Sequence, residues 1–210
     1  MIPGFEKIVK CPYCGAEKSL MTIMTGNNFG AEYWSDNKVI APHLPEVSPV
    51  QKCMHCGKYY LEYKQEAEIG KKDSIDTGDL TYDEWKEALR QFEAENTEQM
   101  DMDNVRFWLI QAYNDFFYRS NNTNTPTEED FRFIIGIIND FVNLYDWSGV
   151  EIPLLKAELY REANEMDKCK EVLSRISLKD MNDVERQFFE EVKERVEESD
   201  NKVFLRMINQ

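Results

Sequence analysis

Four of the five cysteines in this 210-residue chain come in matched pairs, CPYCG at 11–15 and CMHCG at 53–57. Cys11, Cys14, Cys53 and Cys56 thus form the pattern C-x2-C-x38-C-x2-C, with a glycine directly after each pair. Thiolates are soft ligands, and two Cys-x-x-Cys turns place four of them at the corners of a tetrahedron around Zn²⁺, with Zn–S about 2.3 Å. The backbone must turn sharply to aim its N–H groups at sulfur, and Gly15 and Gly57 accept the positive φ that such a turn requires. The expected site is one structural Zn²⁺ held by Cys11, Cys14, Cys53 and Cys56. Four protein ligands leave no open position for a reacting water.

CPYC after a short apolar run also has the look of a glutaredoxin redox site. That chemistry makes different demands. Its second cysteine lies in the first turn of a helix, whose N-terminus lowers the thiolate pKa. Gly15 is a poor residue to continue such a helix. The facing Val-Pro element of a thioredoxin-type fold has its nearest candidate in PEVSPV at 45–50, with the prolines in the wrong context. Nothing in the dithiol reading explains a second CxxCG. The pattern resembles that of zinc-ribbon proteins, over about the first 70 residues.

A ribbon positions its knuckles with short strands. KYYLEYK at 58–64 alternates, with Tyr59, Leu61 and Tyr63 on one face and Tyr60, Glu62 and Lys64 on the other, and SLMTIM at 19–24 reads as a strand entering the turn TGNNFG. The spacer is longer than a minimal ribbon needs. Its latter half, GAEYWSDNKVIAPHLPEVSPV, holds three prolines and reads as an ordered excursion. His55, inside the second knuckle, and His43, in the proline-bearing loop, are expected at the surface, because four thiolates already complete the site. Phe29, Tyr33 and Trp34 have the composition of a base-stacking platform. No basic cluster accompanies them, and covering the metal and sheet of a small ribbon is the favoured role.

After a polar stretch at 65–79, read as a linker, the periodicity becomes helical. Thr81 and Glu84 predict a capping box, Leu80 and Trp85 a hydrophobic staple, and the helix should run to about residue 96. A second helix is expected over 104–119. Val105, Trp108, Leu109, Ala112, Tyr113 and Phe116 fall on one face, and Phe107, Ile110 and Phe117 on another. SNNTNTPT at 120–127 is a loop, and Pro126 is expected in the first turn of a third helix buried through Phe131, Ile134, Ile135, Ile138, Phe141, Val142 and Tyr145. LLKAELYREANEMDKCKEVLSRI at 154–176 reads as helix, tight turn at Asn164–Glu165, helix. A last helix at 182–198 is buried through Val184, Phe188, Val192 and Val196, and KVFLRM at 202–207 forms a short terminal element.

Within 154–176, Ala157, Tyr160, Met166, Cys169, Leu173 and Ile176 stand where a tetratricopeptide repeat (TPR) places its small and bulky packing residues. Asn164 occupies the place of the usual Gly, and the closing Pro is missing. Cys169 then serves as a small packing residue. The whole arrangement resembles uncharacterised bacterial proteins that join an N-terminal four-cysteine zinc ribbon to a C-terminal TPR-like helical domain. The resemblance implies an interaction protein and supplies no substrate. The expected fold is α+β, mostly α: a zinc-ribbon domain over 1–64, a linker over 65–79, and an antiparallel TPR-like helical bundle over 80–210.

Charge narrows the function classes. Residues 1–72 hold 9 Lys/Arg against 8 Asp/Glu, so of the chain's 25 and 40 the remainder holds 16 and 32. Phosphate backbones are bound chiefly through Lys/Arg, so the acidic C-terminal part is a poor nucleic-acid surface. The sequence contains no HExxH, GxSxG, GxxxxGK[ST] or GxGxxG, and an enzyme is not expected. No apolar run approaches the ~20 residues of a membrane helix. The N-terminus has no secretory signal pattern, so a reducing cytoplasm is the expected compartment. The first expectation is a zinc-stabilised protein-binding module with a protein partner. The alternatives are a nucleic-acid-associated regulator using the ribbon, and a thiol redox switch that releases zinc.

Overall fold

The computed structural model describes residues 1–44, 47–70, 79–119, 124–147 and 153–206. It is mixed α+β and mostly α, with short antiparallel strands first and six helices after them. Two compact units account for it: Met1–Ala31 with Ile40–Thr97, and Glu32–Val39 with Glu98–Gln210.

In the first unit β1 (Ile2–Pro3) pairs with β4 (Ile23–Thr25), and β2 (Lys7–Lys10) is the central strand between β3 (Glu17–Leu20) and β9 (Ala67–Ile69). Strand β5 (Glu32–Tyr33), of the second unit, pairs with β6 (Val39–Ile40), and in the first unit β7 (Val50–Lys52) pairs with β8 (Tyr59–Leu61). The single strand expected over 19–24 is split. Gly4 N–H donates to the Thr22 carbonyl at 2.7 Å and Thr22 Oγ1 donates to the Phe5 carbonyl at 2.5 Å, which turns β4 away from β2 and onto β1.

The strand expected over 58–64 ends at Leu61, and Glu62–Lys64 forms a 3-10 turn held by the Lys7–Glu62 ion pair. Tyr59, Tyr60 and Leu61 are all buried, so the expected alternation of faces is absent. Both faces of β8 are covered: Tyr60 packs with Val9, Cys11, Leu20 and Cys53, while Tyr59 meets a helix. In the expected linker, Ala67–Ile69 is the strand β9, with Val9 opposite Ala67; residues 71–78 lie outside the described residues.

That helix is α1 (Tyr82–Ala94), which starts at the expected capping box of Thr81 and Glu84. Its buried face is Tyr82, Trp85, Ala88, Leu89 and Phe92. The spacing groups it with the later helices, whereas it belongs to the first unit. The reason is polar as well as apolar: Lys52 Nζ meets Glu84 at 2.9 Å, Tyr59 OH donates to Glu87 at 2.6 Å, and Tyr13 OH donates to Glu95 at 2.6 Å.

The second unit packs α2 (Gln99–Phe117), α3 (Glu128–Leu144), α4 (Leu154–Glu162), α5 (Met166–Ser174) and α6 (Asp183–Glu197). Helix α2 starts five residues before the expected 104, because Asp101, Met102 and Asp103 are buried and continue the turn. It is buried nearly all round, as two apolar faces require, but Phe116 is 42% exposed. In α3 Pro126 lies outside the helix. Thr127 is the N-cap and exchanges hydrogen bonds with Asp130. Tyr145 lies past the end of α3 and is exposed, while Ile137 takes a buried place. In α6 Val184 is exposed and Phe189 is buried beside Phe188, Val192 and Val196. Residues 120–123 of the expected loop, and Met207 of the terminal element, lie outside the described residues.

Within the expected excursion of the ribbon spacer, residues 32–39 belong to the helical unit, and Pro45 and Glu46 lie outside the described residues. Ser35 N–H donates to the Phe204 carbonyl at 2.9 Å, Phe204 N–H to Ser35 Oγ at 3.1 Å, and Arg206 N–H to the Tyr33 carbonyl at 2.8 Å. Asp36 is fully buried. It accepts from Arg119 and, at 2.9 Å, from Asn114 Nδ2, which also donates to Glu162 at 2.9 Å. A second buried pair, Arg161 with Glu158, reaches the carbonyls of Asp200 and Lys202. A buried charge is tolerated only when paired and hydrogen-bonded. These contacts tie the hairpin, α2, α4 and the C-terminal segment together.

Candidate metal centre

The two cysteine pairs sit on two like-built hairpins. Strand β2 leads into Cys11 and β3 leaves after Ala16; β7 leads into Cys53 and β8 leaves after Lys58. Cys11 N–H donates to the Ala16 carbonyl at 2.8 Å, and Cys53 N–H to the Lys58 carbonyl at 2.8 Å. Gly15 N–H returns to the Cys11 carbonyl at 2.9 Å, and Gly57 N–H to the Cys53 carbonyl at 2.8 Å. The glycines have φ of 72° and 73°. A Cβ at either would meet nothing within 4 Å, so the demand on glycine is conformational and not a matter of space.

This turn aims backbone donors at sulfur. The N–H groups of Tyr13 and Cys14 bond Cys11, those of His55 and Cys56 bond Cys53, and that of Ala16 bonds Cys14. The second cysteine of each pair therefore sits in a hairpin turn and not at a helix N-terminus, which removes the geometric basis of the glutaredoxin reading.

The four Sγ atoms lie within 4.8 Å of one another, with Cys14–Cys53 at 3.6 Å and Cys11–Cys56 at 3.8 Å. A tetrahedron with metal–sulfur bonds of about 2.3 Å has edges of about 3.8 Å. The set fits a four-thiolate metal ion, and these four residues could hold one. Cys11 and Cys53 are buried, whereas Cys14 and Cys56 face solvent.

The thiols are not equivalent. Burial pushes Cys11 up to about 12. Burial acts the same way on Cys53, but the N–H groups of Cys56 and His55 and the thiols of Cys14 and Cys11 outweigh it and bring Cys53 down to about 7. Ligation requires thiolates, so metal uptake must expel the protons that remain on the other sulfurs.

The surrounding shell is partly apolar (Val9, Ala16, Leu20 and Tyr60) and partly supplied by α1. Gln91 Nε2 donates to Tyr13 OH at 3.0 Å, and Lys58 lies 4.5 Å from the Tyr13 ring centroid and 3.8 Å from Glu95. Residues of both knuckles, Tyr13 and Lys58, are thereby held by one helix end. The cysteine spacing does not reveal this helper. The one available signal is the amphipathic face of Tyr82, Trp85, Leu89 and Phe92, which must cover something.

His55 and His43 are exposed, as expected. Phe29 is 74% exposed in the first unit, and Trp34 belongs to the second unit, with Arg119 5.2 Å from its ring. Cys169 is fully buried and its thiol is pushed up to about 12 by that burial, in keeping with a packing role. The sequence patterns do not single out the buried residues Asp36, Arg119, Glu158, Arg161 and Glu162. Their signal is faint: charges in AELYRE and polar Gln111 and Asn114 on otherwise apolar helix faces.

No protein-family model, curated protein or solved structure matches the chain. Among the described residues, no helix is long and apolar enough to cross a membrane.

Proposed function

We propose that Cys11, Cys14, Cys53 and Cys56 hold one structural Zn²⁺ and that the chain is a non-catalytic protein-interaction module stabilised by that ion. The observation that carries this reading is the sulfur geometry: four thiols from two like-built knuckles, spaced as the edges of a tetrahedron. Four soft thiolates in that arrangement favour zinc, and the ion supplies folding free energy rather than a reaction site. The protein's own part is to pre-aim the sulfurs through backbone N–H groups and to bury Cys11 and Cys53. The 32 Asp/Glu against 16 Lys/Arg beyond residue 72 favour a protein partner over nucleic acid.

Elemental analysis of protein expressed without added metal should give one zinc per chain, and co-purification at physiological salt should retain a stoichiometric protein partner. Absence of zinc would end the metal reading, and absence of any stable partner the interaction reading. A flat response to single- and double-stranded probes across a salt series is expected.

The exposure of Cys14 and Cys56 supports a second reading, a redox switch. Hydrogen peroxide would oxidise two thiolates to one disulfide, itself reduced to water, and zinc would leave. Zinc release by mild peroxide, reversed by thiol reductant and zinc, is the expected result. Retention of zinc under conditions that oxidise a free thiol would exclude the switch.

A further inference from the structure

The helical unit contains a cavity of about 450 Å³, between elements that the metal centre does not involve. Its walls are aromatic. Phe107 stacks on Phe141 at 5.5 Å, Tyr145 lies 5.2 Å from Phe141, and Trp147 lies 4.9 Å from Tyr145. Phe188 of α6 adds a further ring, and Arg206 lies with its guanidinium 4.0 Å from that ring's centroid.

Arg206 is the feature that needs an explanation. It is half-buried, and its Nε is enclosed with no hydrogen-bond partner. Among the described residues the guanidinium makes no ion pair within 4 Å, and the Glu191 and Glu158 carboxylates act on it only from farther off. Glu185, the one acid in the cavity wall, is committed to its helix cap, accepting the Asn182 N–H at 2.8 Å. A guanidinium is a planar fork of donors suited to a carboxylate, and a desolvated one left unpaired is costly. Lys156, 5.4 Å from the Trp147 ring, adds a second cation beside the aromatic wall. A cavity of this size, lined by five aromatic rings, two leucines and a few polar groups including the Arg206 guanidinium, has the make-up of a small-molecule site.

We propose that this cavity binds a small planar aromatic carboxylate, its ring between the aromatic walls and its carboxylate on Arg206. The proposal is independent of the metal reading, because every residue it uses lies in the helical unit.

The test uses 2-naphthoate and its neutral counterpart 2-naphthamide, titrated by calorimetry into the full chain. Naphthoate should bind one to one with a Kd of about 1 mM or tighter, the ordinary efficiency of a probe this small. The amide should bind about tenfold more weakly, having no charge for the guanidinium. Arg206→Gln should erase the difference between the two, and Arg206→Lys should restore part of it. Asn104 is exposed on α2 at the cavity wall, so Asn104→Trp should block both probes without touching the core. Failure of naphthoate to bind, equal affinity for acid and amide, or binding untouched by Asn104→Trp would each overturn the proposal. The comparison of acid with amide needs no variant, so it stands even where Arg206→Gln perturbs folding.

Discussion

The carboxamide of Gln91 closes on the backbone of Tyr59 from both sides. Its Oε1 accepts the Tyr59 N–H at 3.0 Å and its Nε2 donates to the Tyr59 carbonyl at 2.8 Å. Among the described residues strand β8 pairs only with β7, so this side chain takes the place of a ladder partner at its other edge. Replacing Gln91 by Ala leaves two backbone groups of a buried residue without partners. The expected loss is about 1–3 kcal/mol in the stability of the first unit, with the metal still bound. Denaturant unfolding of zinc-loaded protein measures it, and an unchanged midpoint would show that the Gln91 hydrogen bonds add nothing to the hold of α1 on β8.

The metal itself should matter far more. In small metal-bound domains the binding free energy, on the order of 10 kcal/mol, is folding free energy, whereas whole domains are stable by roughly 5–15 kcal/mol. Cys53→Ser removes a buried ligand from the second knuckle. It should abolish stoichiometric metal and the cooperative melting of the first unit, while the second unit keeps its own transition. Cys169→Ser, far along the chain and fully buried, should lower stability without changing metal content. A first-unit transition unchanged in Cys53→Ser would refute the metal reading.

The cysteine spacing and the following glycines are enough to name the four residues that come together, because a knuckle is a local turn with strict backbone demands. Capping signals are legible for the same reason: Thr81 with Glu84 begins α1 where expected. What cannot be read is which surface an element covers. The periodicity of α1 shows that Trp85 and Phe92 are buried, but not that β8 is among its neighbours. Residues 32–39 carry a turn signal at Asp36–Asn37, yet nothing local says that Asp36 meets Arg119, 83 residues later. Val184 and Phe189 both suit an apolar stripe. Only the packing of the neighbouring elements selects Phe189.

Three helices end on a left-handed residue that is not glycine: Asn96 closes α1, Asn164 closes α4 and Ser199 closes α6, with φ of 53°, 60° and 57°. At Asn164 the motif is complete, since Glu165 N–H bonds the Tyr160 carbonyl at 2.8 Å. Asparagine tolerates this conformation, whereas a Cβ without a polar group to bond locally costs about 1–2 kcal/mol there. Asn164→Ala should therefore lower the stability of the second unit by about 1 kcal/mol, and Asn164→Gly should leave it unchanged or raise it. Thermal melting of the pair decides: equal losses in Ala and Gly would mean that the Asn164 side chain, and not the backbone conformation, terminates the helix.

Glu162 should give the second unit a pH dependence of its own. Burial, with the Glu158 and Asp36 carboxylates nearby, raises its pKa well above the ordinary 4.5, against the opposing effects of Arg161 and the Asn114 hydrogen bond. Its Oε2 has Asn114 as donor, while its buried Oε1 has no partner among the described residues. Below the ordinary value, folded and unfolded chains both carry the proton and nothing is lost. As pH rises, the unfolded chain ionises first, and stability drains away until the folded group also ionises. Glu162→Gln keeps the shape and the hydrogen bond with Asn114 but cannot ionise. As pH rises above the ordinary value, the urea midpoint of the native chain should fall more steeply than that of Glu162→Gln. Parallel profiles for the two proteins would place the ionisation of Glu162 at its ordinary pH despite full burial, and the buried cluster would then have to hold three carboxylates against two guanidinium groups.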